Sequence, residues 1–374
     1  MPRRLLYVFN DAPFFLSHRL PVARAAAAEG YDVHVAAPPH PAAAALGQHG
    51  LTHHPIRLTR RGVSPGGEVA AVAAIVRLYR RLRPDLIEHA TIKPVLYGGL
   101  AARVLRQPAV VSWMTGLGFV FISEGARVAL LRRAVAAGYR TALQRPGSWV
   151  IFENPDDRDL FVARGLSHPG RTRLIRGAGV DMTAFHPVPE EPGVPVVVLP
   201  ARMLRDKGVV EFVEAARALR SSGVVARFVL VGNADPANPA GLAEAQLRSW
   251  HDEGSVEWWG QREDMAAVLR GAHVVCLPSY REGLPKALVE AAASGRAIVT
   301  TDAPGCREVV RHEWNGLLVP VRDAAALAQA IGRLLRDPAE RARMGARGRE
   351  WVEERFSDRQ VIRETLAVYG EAAA

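Results

Sequence analysis

The sequence predicts an α/β protein made of two doubly wound domains. Short apolar segments of strand length alternate with longer amphipathic segments along the 374 residues, the pattern of parallel sheets covered by helices. The alternation comes in two sets, separated by FHPVPEEPGVP (185–195), which contains four prolines and one glycine. Such a composition is typical of an interdomain linker. We therefore predict domains over 1–184 and 196–356.

Each set contains six predicted strands. In the first set the helical segments include 67–83 and 124–144, and the predicted strands are 5–10, 32–38, 85–90, 109–114, 149–154 and 173–177. In the second set they are 194–202, 226–232, 256–260, 273–278, 297–302 and 316–320. Open parallel sheets bind ligands at the carboxyl ends of their strands. Two such domains are expected to face each other across a central cleft, but this pattern does not choose the ligand.

Composition favours an ordinary cytoplasmic protein. The chain is 49% hydrophobic and 23% charged, and it lacks an apolar run of the ~18 residues that a membrane-spanning helix needs. The opening MPRRLLYVFNDAP has five apolar residues after its arginines, fewer than the apolar core of a signal peptide. The two cysteines, Cys276 and Cys306, offer no disulfide framework.

The positive charge is confined to the first half of the chain. Residues 1–190 contain 24 Lys and Arg against 13 Asp and Glu, whereas residues 191–374 contain 24 against 25. This asymmetry indicates an anionic surface or substrate facing the N-terminal half. A general preference for arginine, which supplies 45 of the 48 cationic side chains, explains the choice of Arg over Lys but not the imbalance.

The stretch SYREGLPKALVEAAASG (279–295) places two glutamates around a predicted helix start. Pro285 suits the first helical position and Gly295 a C-terminal cap. Glu282 then lies in the loop before the helix and Glu290 within it. The free backbone amides at such a start, with Lys286 beside them, suit a phosphate group. Alternatively, Lys286 and Glu290 form only a surface pair four residues apart, worth about 0.3–0.5 kcal/mol.

A second cluster of cations follows the first strand of the second set. In LPARMLRDKGVVEF, Arg202 and Lys207 lie in a strand-to-helix turn that Gly208 closes. The chain has three lysines, Lys93, Lys207 and Lys286, and two of them fall in candidate phosphate-binding turns. The turn therefore supports an anion site at the same edge of the predicted sheet.

The two motifs together resemble glycosyltransferase family 4, a family of retaining enzymes with the GT-B fold. The resemblance rests on R-x4-K-G (202–208) followed by E-G-L-P-K-A-L-V-E (282–290), and it extends over nearly the whole chain. The segment RLIRGAGVDMTAFHP (173–187) is similar to the family's entry into the linker. The C-terminal EERFSDRQVIRETLAVYGE is similar to its last helix, which implies that 357–374 crosses back to the N-terminal domain.

The resemblance implies a role for each motif residue. Arg202 and Lys207 would hold the donor diphosphate and neutralise the charge of the leaving group. Glu290 would accept hydrogen bonds from the donor ribose, and Glu282 would stabilise a cationic sugar in the transition state. The donor site would also include Gly283, Leu284, Pro285, Lys286 and Arg262. No metal or other cofactor is expected, because Arg, Lys and a helix start replace a divalent ion and the chain has no metal-ligand spacing.

The N-terminal half departs from the family pattern at two places. The first strand–helix turn reads NDAPFFLSHR instead of carrying a glycine pair, which makes His18 and Arg19 candidates for contacting the acceptor; a purely structural His18 is the alternative. After the strand VVSWM, where many members have a histidine, the chain has Thr115 and Gly116 in a glycine-rich turn. Gly116 could admit the donor and Thr115 the acceptor. The adjacent His53 and His54 are expected to face solvent.

Two segments most resemble members of the family that extend lipid-linked oligosaccharides: the opening FNDAPFFLSHRLPVARAAAAEGYDVHV and the later SWMTGLGFVF. The expected function is transfer of a sugar from a nucleotide donor, expected to be a UDP-sugar, to a polyprenyl-diphosphate-linked saccharide at the inner face of the plasma membrane. The basic helix 124–145 could contact anionic lipid or could be an ordinary solvated face. Nucleic acid is disfavoured because stacking aromatics are lacking. The alternatives are a soluble acceptor, a UDP-sugar 2-epimerase of the same fold and an inactive binding module.

Overall fold

The computed structural model describes residues 2–58, 64–117, 126–236 and 238–374. The chain divides into two compact units, which we treat separately. The first comprises Met1–Ala178 with Arg359–Ala374, and the second comprises Gly179–Asp358. Each unit contains a parallel sheet covered by helices.

The first unit is built on a seven-stranded parallel sheet with the order β3-β2-β1-β4-β5-β6-β7. Its central strands are buried aliphatic runs, as expected when helices cover both faces of a sheet. Leu5 of β1, for example, pairs with Val33 on one side and with Leu86 on the other. The strands are β1 (Arg4–Val8), β2 (Asp32–Ala37), β3 (Thr52–Pro55), β4 (Leu86–Ala90), β5 (Ala109–Met114), β6 (Ser148–Phe152) and β7 (Thr172–Leu174).

Several helices of this unit begin at a side chain that caps the first turn. Asp11 accepts the N–H of Phe14 at 3.2 Å, and Asn154 accepts the N–H of Asp157 at 2.8 Å; a cap of this kind stabilises a helix by about 1 kcal/mol. A π-helical turn over Pro94–Gly98 leads into the fifth helix. The helices are α1 (Ala12–His18), α2 (Leu20–Ala28), α3 (Ala44–Gln48), α4 (Pro65–Leu82), α5 (Gly99–Val104), α6 (Ala126–Leu143) and α7 (Pro155–Ala163).

The second unit has a six-stranded parallel sheet with the order β10-β9-β8-β11-β12-β13. Its strands are β8 (Val196–Pro200), β9 (Arg227–Val231), β10 (Glu257–Trp258), β11 (Val274–Leu277), β12 (Ala297–Thr301) and β13 (Gly316–Val319). Its helices are α8 (Val209–Ser221), α9 (Glu244–Asp252), α10 (Met265–Arg270), α11 (Lys286–Ala293), α12 (Cys306–Val309), α13 (Ala324–Arg336) and α14 (Pro338–Arg355). Both sheets are doubly wound, so the predicted α/β fold is confirmed.

The last helix, α15 (Asp358–Ala373), belongs by packing to the first unit. Val361, Val368 and Tyr369 enter the same buried cluster as β1 and α1. The Tyr369 hydroxyl lies 3.0 Å from that of Tyr7 and donates a short hydrogen bond to the buried carboxyl of Glu88 in β4. Burial raises the pKa of Glu88, and the positive charge of a neighbouring arginine opposes this rise. The helix is therefore held by a polar anchor as well as by apolar contacts.

We expect Tyr369→Phe to lower the free energy of unfolding by about 1–2 kcal/mol, because it removes the hydroxyl that serves a buried carboxyl. Tyr31→Phe is the matched control: its ring packs edge-on against Tyr369 at 6.5 Å between centroids, but it is only half-buried. Urea unfolding of the two variants measures the difference. Equal stability losses in both would contradict the anchor.

One strand of the first sheet is missing from the sequence prediction. The edge strand β3 reads THHP, without an apolar pattern, and it pairs with β2. The expectation that its histidines face solvent is corrected, because both are half-buried: His54 Nε2 lies 3.0 Å from His34 Nδ1, and His53 Nε2 lies 3.2 Å from the Ala37 carbonyl. Burial, followed by the neighbouring His34, lowers the pKa of His54.

The proline-rich segment 185–195 packs within the second unit. Glu190 forms an ion pair with Arg341 of α14 at 2.6 Å, and the Val188 carbonyl accepts a hydrogen bond from Arg296 at 3.1 Å. The division between units falls at Ala178 and Gly179, a few residues before the predicted boundary at 184. Among the described residues, we find no helix long and apolar enough to cross a membrane.

Candidate active site

Lys207 lies in a tight turn at the carboxyl end of β8. The chain forms one 3₁₀ turn over Arg205–Lys207 and then enters α8 through Gly208, whose φ is 71°. A Cβ at this position would lie 2.2 Å from the carbonyl oxygen of Pro278. Only glycine combines this left-handed conformation with so close an approach, so Gly208 lets the turn pack against the end of β11.

The loop after β11 brings Glu282 onto this turn. The Tyr280 amide donates to the carbonyl of Asp206 at 2.9 Å. Lys207 Nζ then lies 2.5 Å from Glu282 Oε1 and 2.7 Å from Oε2, and Ser279 Oγ donates to Oε1 at 2.6 Å. Both partners of the ion pair are mostly shielded from solvent. Two sequence motifs 75 residues apart thus meet as one partly buried charge pair.

A third loop supports Glu282 from behind. The Glu282 amide donates to the Pro304 carbonyl at 3.0 Å. A Cβ at Gly305, whose φ is 81°, would lie 2.7 Å from the Glu282 carbonyl oxygen, so this position also requires glycine. The carbonyl ends of β8, β11 and β12 thereby converge on the Lys207–Glu282 pair.

A further acid lies beside the pair. Burial raises the pKa of Asp206; the charge of Lys207 opposes the rise and that of Glu282 reinforces it. One ammonium thus lies among two carboxyl groups in a partly desolvated turn. An incoming anion would meet a Lys207 side chain that Glu282 already holds in place.

Glu290 lies in α11, one turn into the helix that Pro285 precedes. Its side chain is almost fully buried and forms a short ion pair with Lys286. The predicted i,i+4 pair therefore exists, but burial of Glu290 distinguishes it from an exposed surface pair. Gly283 is buried and Leu284 half-buried in the loop before the helix. By position, the first backbone N–H groups of α11 have no carbonyl partner within the helix and can donate hydrogen bonds to a ligand.

The two predicted arginines lie at the margin of this site. Arg202 Nη1 contacts Asp235 Oδ2 at 3.0 Å, and its charge acts on Asp206. Arg262 is exposed and forms a bidentate pair with Asp264 at 2.6 and 2.7 Å. Arg262 thus points to a local acid, whereas Arg202 is close enough to influence the Lys207 turn.

Sequence reasoning missed the residues that hold Tyr280. Its hydroxyl donates to Glu211 Oε1 of α8 at 2.5 Å, and the Arg322 guanidinium lies 4.6 Å from the centre of its ring. Burial, then the Glu211 hydrogen bond, raises the pKa of Tyr280 to about 12. Ser279 was detectable from its position three residues before Glu282, but nothing in the sequence links Glu211 or Arg322 to the motif.

In the first unit, His18 and Arg19 differ sharply. The His18 ring stacks on Phe14 with centroids 4.0 Å apart, and its Nδ1 lies 2.7 Å from Ser17 Oγ. Arg19, a predicted acceptor contact, is only 1% exposed. Its guanidinium lies 3.3 Å from the centre of the Trp113 ring and 3.3 Å from Glu88 Oε1. This burial corrects the expectation for Arg19, whose positive charge lies beside Glu88 in the core and opposes the rise in the pKa of that carboxyl.

The carboxyl edge of the first sheet holds two predicted residues, Thr115 and Gly116, and two that the sequence did not single out, Asn10 and Thr91. Thr115 and Gly116 follow β5 and are half-buried, and Gly116 has a φ of 113°. Asn10 follows β1, and its Oδ1 accepts a hydrogen bond at 3.0 Å from Thr91, which follows β4. Thr91 has a φ of 70°, a conformation that costs a β-branched residue about 1–3 kcal/mol. Such strain marks this edge as a functional candidate.

Within the described part of the chain, no group of three or more His, Cys, Asp or Glu side chains has a metal-binding arrangement. This observation concerns the protein's own ligands alone.

Comparison with family models and solved structures shows which class of protein the chain resembles. The family model for glycosyl transferases group 1 matches residues 194–337, and the model for glycosyl transferase 4-like domains matches residues 4–144. A solved Anabaena HepE structure in complex with UDP and glucose has a TM-score of 0.76 at 19% identity, covering 98% of this chain and 99% of that one. Sucrose-phosphate synthase from Thermosynechococcus elongatus gives 0.80 at 23% identity, covering 99% and 98%. These structures establish the GT-B fold.

Two curated relatives are also similar in sequence to this chain. N,N'-diacetylbacillosaminyl-diphospho-undecaprenol alpha-1,3-N-acetylgalactosaminyltransferase of Campylobacter jejuni is 29% identical over 344 residues, covering 86% of this chain and 89% of the relative. The putative colanic acid biosynthesis glycosyltransferase WcaL of Escherichia coli is 36% identical over 226 residues, covering 56% and 54%. The chain belongs to the family-4 type of glycosyltransferases, with the GT-B fold.

Proposed function

We propose that this glycosyltransferase moves a sugar from a UDP-sugar to a polyprenyl-diphosphate-linked saccharide, with retention of the anomeric configuration. The observation that carries the proposal is the contact between Lys207 and Glu282, next to the start of α11. A cation at a helix start suits a diphosphate, and a carboxylate beside it suits a sugar that becomes positively charged.

The donor assignment gives each side chain a separate duty. Lys207 neutralises the leaving diphosphate, assisted by Arg202 and by the first amides of α11. The buried carboxylate of Glu290 accepts hydrogen bonds from the ribose hydroxyls, for which it exchanges part of its contact with Lys286. Glu282 stays next to the anomeric carbon of the sugar, where the bond to the leaving diphosphate breaks and the bond to the acceptor oxygen forms. The UDP and glucose named for the Anabaena neighbour support this type of donor.

The lipid-linked acceptor is supported by the Campylobacter relative, whose name specifies an undecaprenyl-diphosphate-linked substrate. We place the acceptor at the carboxyl edge of the first sheet, near His18, Thr115 and Gly116. In a front-side retaining reaction, the acceptor hydroxyl attacks from the side of the leaving group, and the leaving phosphate oxygen takes its proton. No covalent sugar–enzyme intermediate is needed. The excess positive charge of the first half of the chain suits contact with the inner face of an anionic membrane.

A panel of nucleotide sugars, each with and without a polyprenyl-diphosphate-linked saccharide, tests the proposal. We expect a new lipid-linked product only when both are present, and NMR of that product gives its anomeric configuration. Conversion of the UDP-sugar without an acceptor would instead indicate an epimerase. Transfer only to soluble sugars would contradict the lipid-linked acceptor.

We expect turnover to survive an excess of chelator. The proposed neutralisation of the diphosphate uses Lys207, Arg202 and helix amides, so it includes no divalent ion. Rates measured with EDTA, and then with added magnesium or manganese, check this. A rate that falls in EDTA and returns with the metal would show that the proposed charge neutralisation is incomplete.

A further inference from the structure

The first unit carries a surface that is both apolar and strongly basic. It is formed by the outward residues of α4, of α5 and of the turn that follows α5, and we call it the α4–α5 face: Val69, Arg77, Arg80, Arg81, Arg103, Val104 and Arg106. Both helices pack on the same sheet face, over one buried cluster that includes Ile75 and Ala101. Their exposed sides therefore point the same way, away from the sheet.

The burial pattern of α4 defines its outward side. Ala71, Ile75, Leu78, Tyr79 and Leu82 are buried against the sheet. The exposed residues follow at helical spacing on the other side, with an apolar first half and an arginine-rich second half: Val69, Ala70, Arg77, Arg80 and Arg81. This is the pattern of an amphipathic helix whose polar face carries a single sign of charge.

Two valines on this face are unusually exposed. Val69 and Val104 are each 70% exposed, and they are two of the four large hydrophobic residues that stand out on the described surface. The other two are Val194, at 48%, and Val225, at 74%, and both lie in the second unit. Val104 is flanked by Arg103 and Arg106, which are also exposed. Exposed apolar side chains among arginines suit an interface in which an apolar interior lies beneath an anionic surface layer.

Within the described chain, the arginines of α4 form no ion pair with the acids near them, although one of these acids, Asp85, is exposed and accepts the backbone N–H of Arg4 at 2.7 Å. Within the described chain, Arg77, Arg80 and Arg81 have no ion-pair partner. The nearby acid of the same helix, Glu68, is bound to Lys93 at 2.7 Å. Glu88 of the following strand is fully buried. Three positive charges on two turns of helix remain available to an external anion.

We propose that the α4–α5 face docks on an anionic phospholipid bilayer, with Val69 and Val104 entering the headgroup layer and the arginines contacting lipid phosphates. The inference rests on the proposed lipid-linked acceptor and names the surface that would bring the enzyme to it. It shifts the membrane contact from the helix predicted at 124–145 to α4 and α5. Residues 118–125 and the side chains of 126–131 lie outside the described structure and are not used.

A bilayer fits this face better than the other anionic or apolar partners. A symmetric contact with a second copy would set the arginine stripe against itself, because both copies present the same patch. Single-stranded nucleic acid would need aromatic rings among the arginines for stacking, and the exposed residues that we name here include none. Scattered apolar tips with a phosphate-binding stripe match the interfacial layer of a membrane.

Vesicle co-sedimentation of the full chain tests the proposal. The probes are vesicles of phosphatidylcholine alone and vesicles with about one third phosphatidylglycerol. We expect binding to the anionic vesicles, weakened by high salt. The triple variant Arg77→Gln/Arg80→Gln/Arg81→Gln should lose affinity on the order of 100-fold. The control triple Arg24→Gln/Arg336→Gln/Arg343→Gln removes the same charge from exposed positions elsewhere and should bind nearly as the unaltered protein does.

The exposed valines are tested with a double variant and a matched control. Val69→Asp/Val104→Asp should reduce vesicle binding at least about tenfold, whereas Val194→Asp/Val225→Asp should not. Equal losses in both pairs, equal losses in both arginine triples, or equal binding of neutral and anionic vesicles would overturn the proposal. So would sedimentation showing that Val69 and Val104 hold a dimer together.

Turnover in detergent separates this inference from the proposed function. With the lipid-linked acceptor dispersed in detergent, the face variants should keep their rate while losing vesicle binding. If the unaltered enzyme fails to use that acceptor, the proposed function is wrong, and vesicle binding still decides the docking surface. If it uses the acceptor but the face variants bind vesicles normally, the docking surface alone is wrong.

Discussion

Glu282→Gln is expected to lower kcat by about 10²–10³-fold while leaving the affinity for UDP nearly unchanged. The substitution keeps the shape and the hydrogen bond from Ser279 Oγ but removes the negative charge. That charge matters most when the sugar becomes cationic in the transition state, so its loss should raise the barrier more than it weakens ground-state binding. Single-turnover rates and calorimetric UDP titration measure the two quantities separately.

Glu313→Gln is the matched control. Like Glu282, Glu313 is a glutamate of the second unit that forms an ion pair. Its partner is Arg333, at 2.8 Å, and Glu313 is exposed. Its substitution should leave both stability and turnover nearly unchanged, because an exposed ion pair contributes little. Normal turnover in Glu282→Gln would remove Glu282 from the chemistry and leave it only a structural partner of Lys207.

The other glutamate is expected to behave differently. Glu290→Gln should weaken UDP binding and turnover together, because its carboxylate is proposed to hold the ribose in both the ground state and the transition state. The structure adds a complication, since Lys286 loses its ion-pair partner in the same variant. Lys286→Met removes the same pair but also a predicted donor contact, so the double variant Lys286→Met/Glu290→Gln is compared with it. If the double variant binds UDP no more weakly than Lys286→Met alone, the loss belongs to the pair and not to the ribose contact.

Much of the architecture could be predicted because parallel strands buried on both faces are continuous apolar runs. The segments around β5 and β12 illustrate this: AVVSWM and AIVTT are mostly apolar and fully buried. The observed strands Ala109–Met114 and Ala297–Thr301 agree with the predicted ones within one residue. β3 was missed because an edge strand needs only one hydrogen-bonded neighbour and carries little apolar burial. Its sequence, THHP, therefore lacks the signal.

The candidate site was predictable to the extent that its chemistry lies in short motifs. Lys207 and Glu282 were both identified, yet no spacing rule could show that they touch, because their contact depends on β8 and β11 being neighbours in the sheet. The prediction that Arg19 contacts the acceptor was wrong for a related reason. Its position after His18 suggested a surface role, but its burial is set by Trp113 and Glu88, which come from two other strands.

Lys207→Ala is expected to cut turnover by at least about 10²-fold and to weaken UDP binding about tenfold. The ammonium is proposed to neutralise the leaving diphosphate, and a preorganised charge of this kind is typically worth two to three orders of magnitude in rate. Arg202→Ala should act in the same direction on both quantities. Lys93→Ala is the control for UDP affinity, since Lys93 also forms a lysine–glutamate pair at 2.7 Å but lies in the first unit.

The direct contact between Lys207 and Glu282 predicts that their effects are not additive. Because each side chain orients the other at 2.7 Å, the double variant Lys207→Ala/Glu282→Gln should lose much less than the product of the two single losses. Arg202, which instead contacts Asp235 at 3.0 Å, should combine with Glu282→Gln almost independently. Rates of the three single and the two double variants, measured at saturating donor, give both coupling energies. Full additivity for Lys207 and Glu282 would mean that the ion pair opens before the chemistry begins, whereas near-normal turnover in Lys207→Ala would place the diphosphate elsewhere.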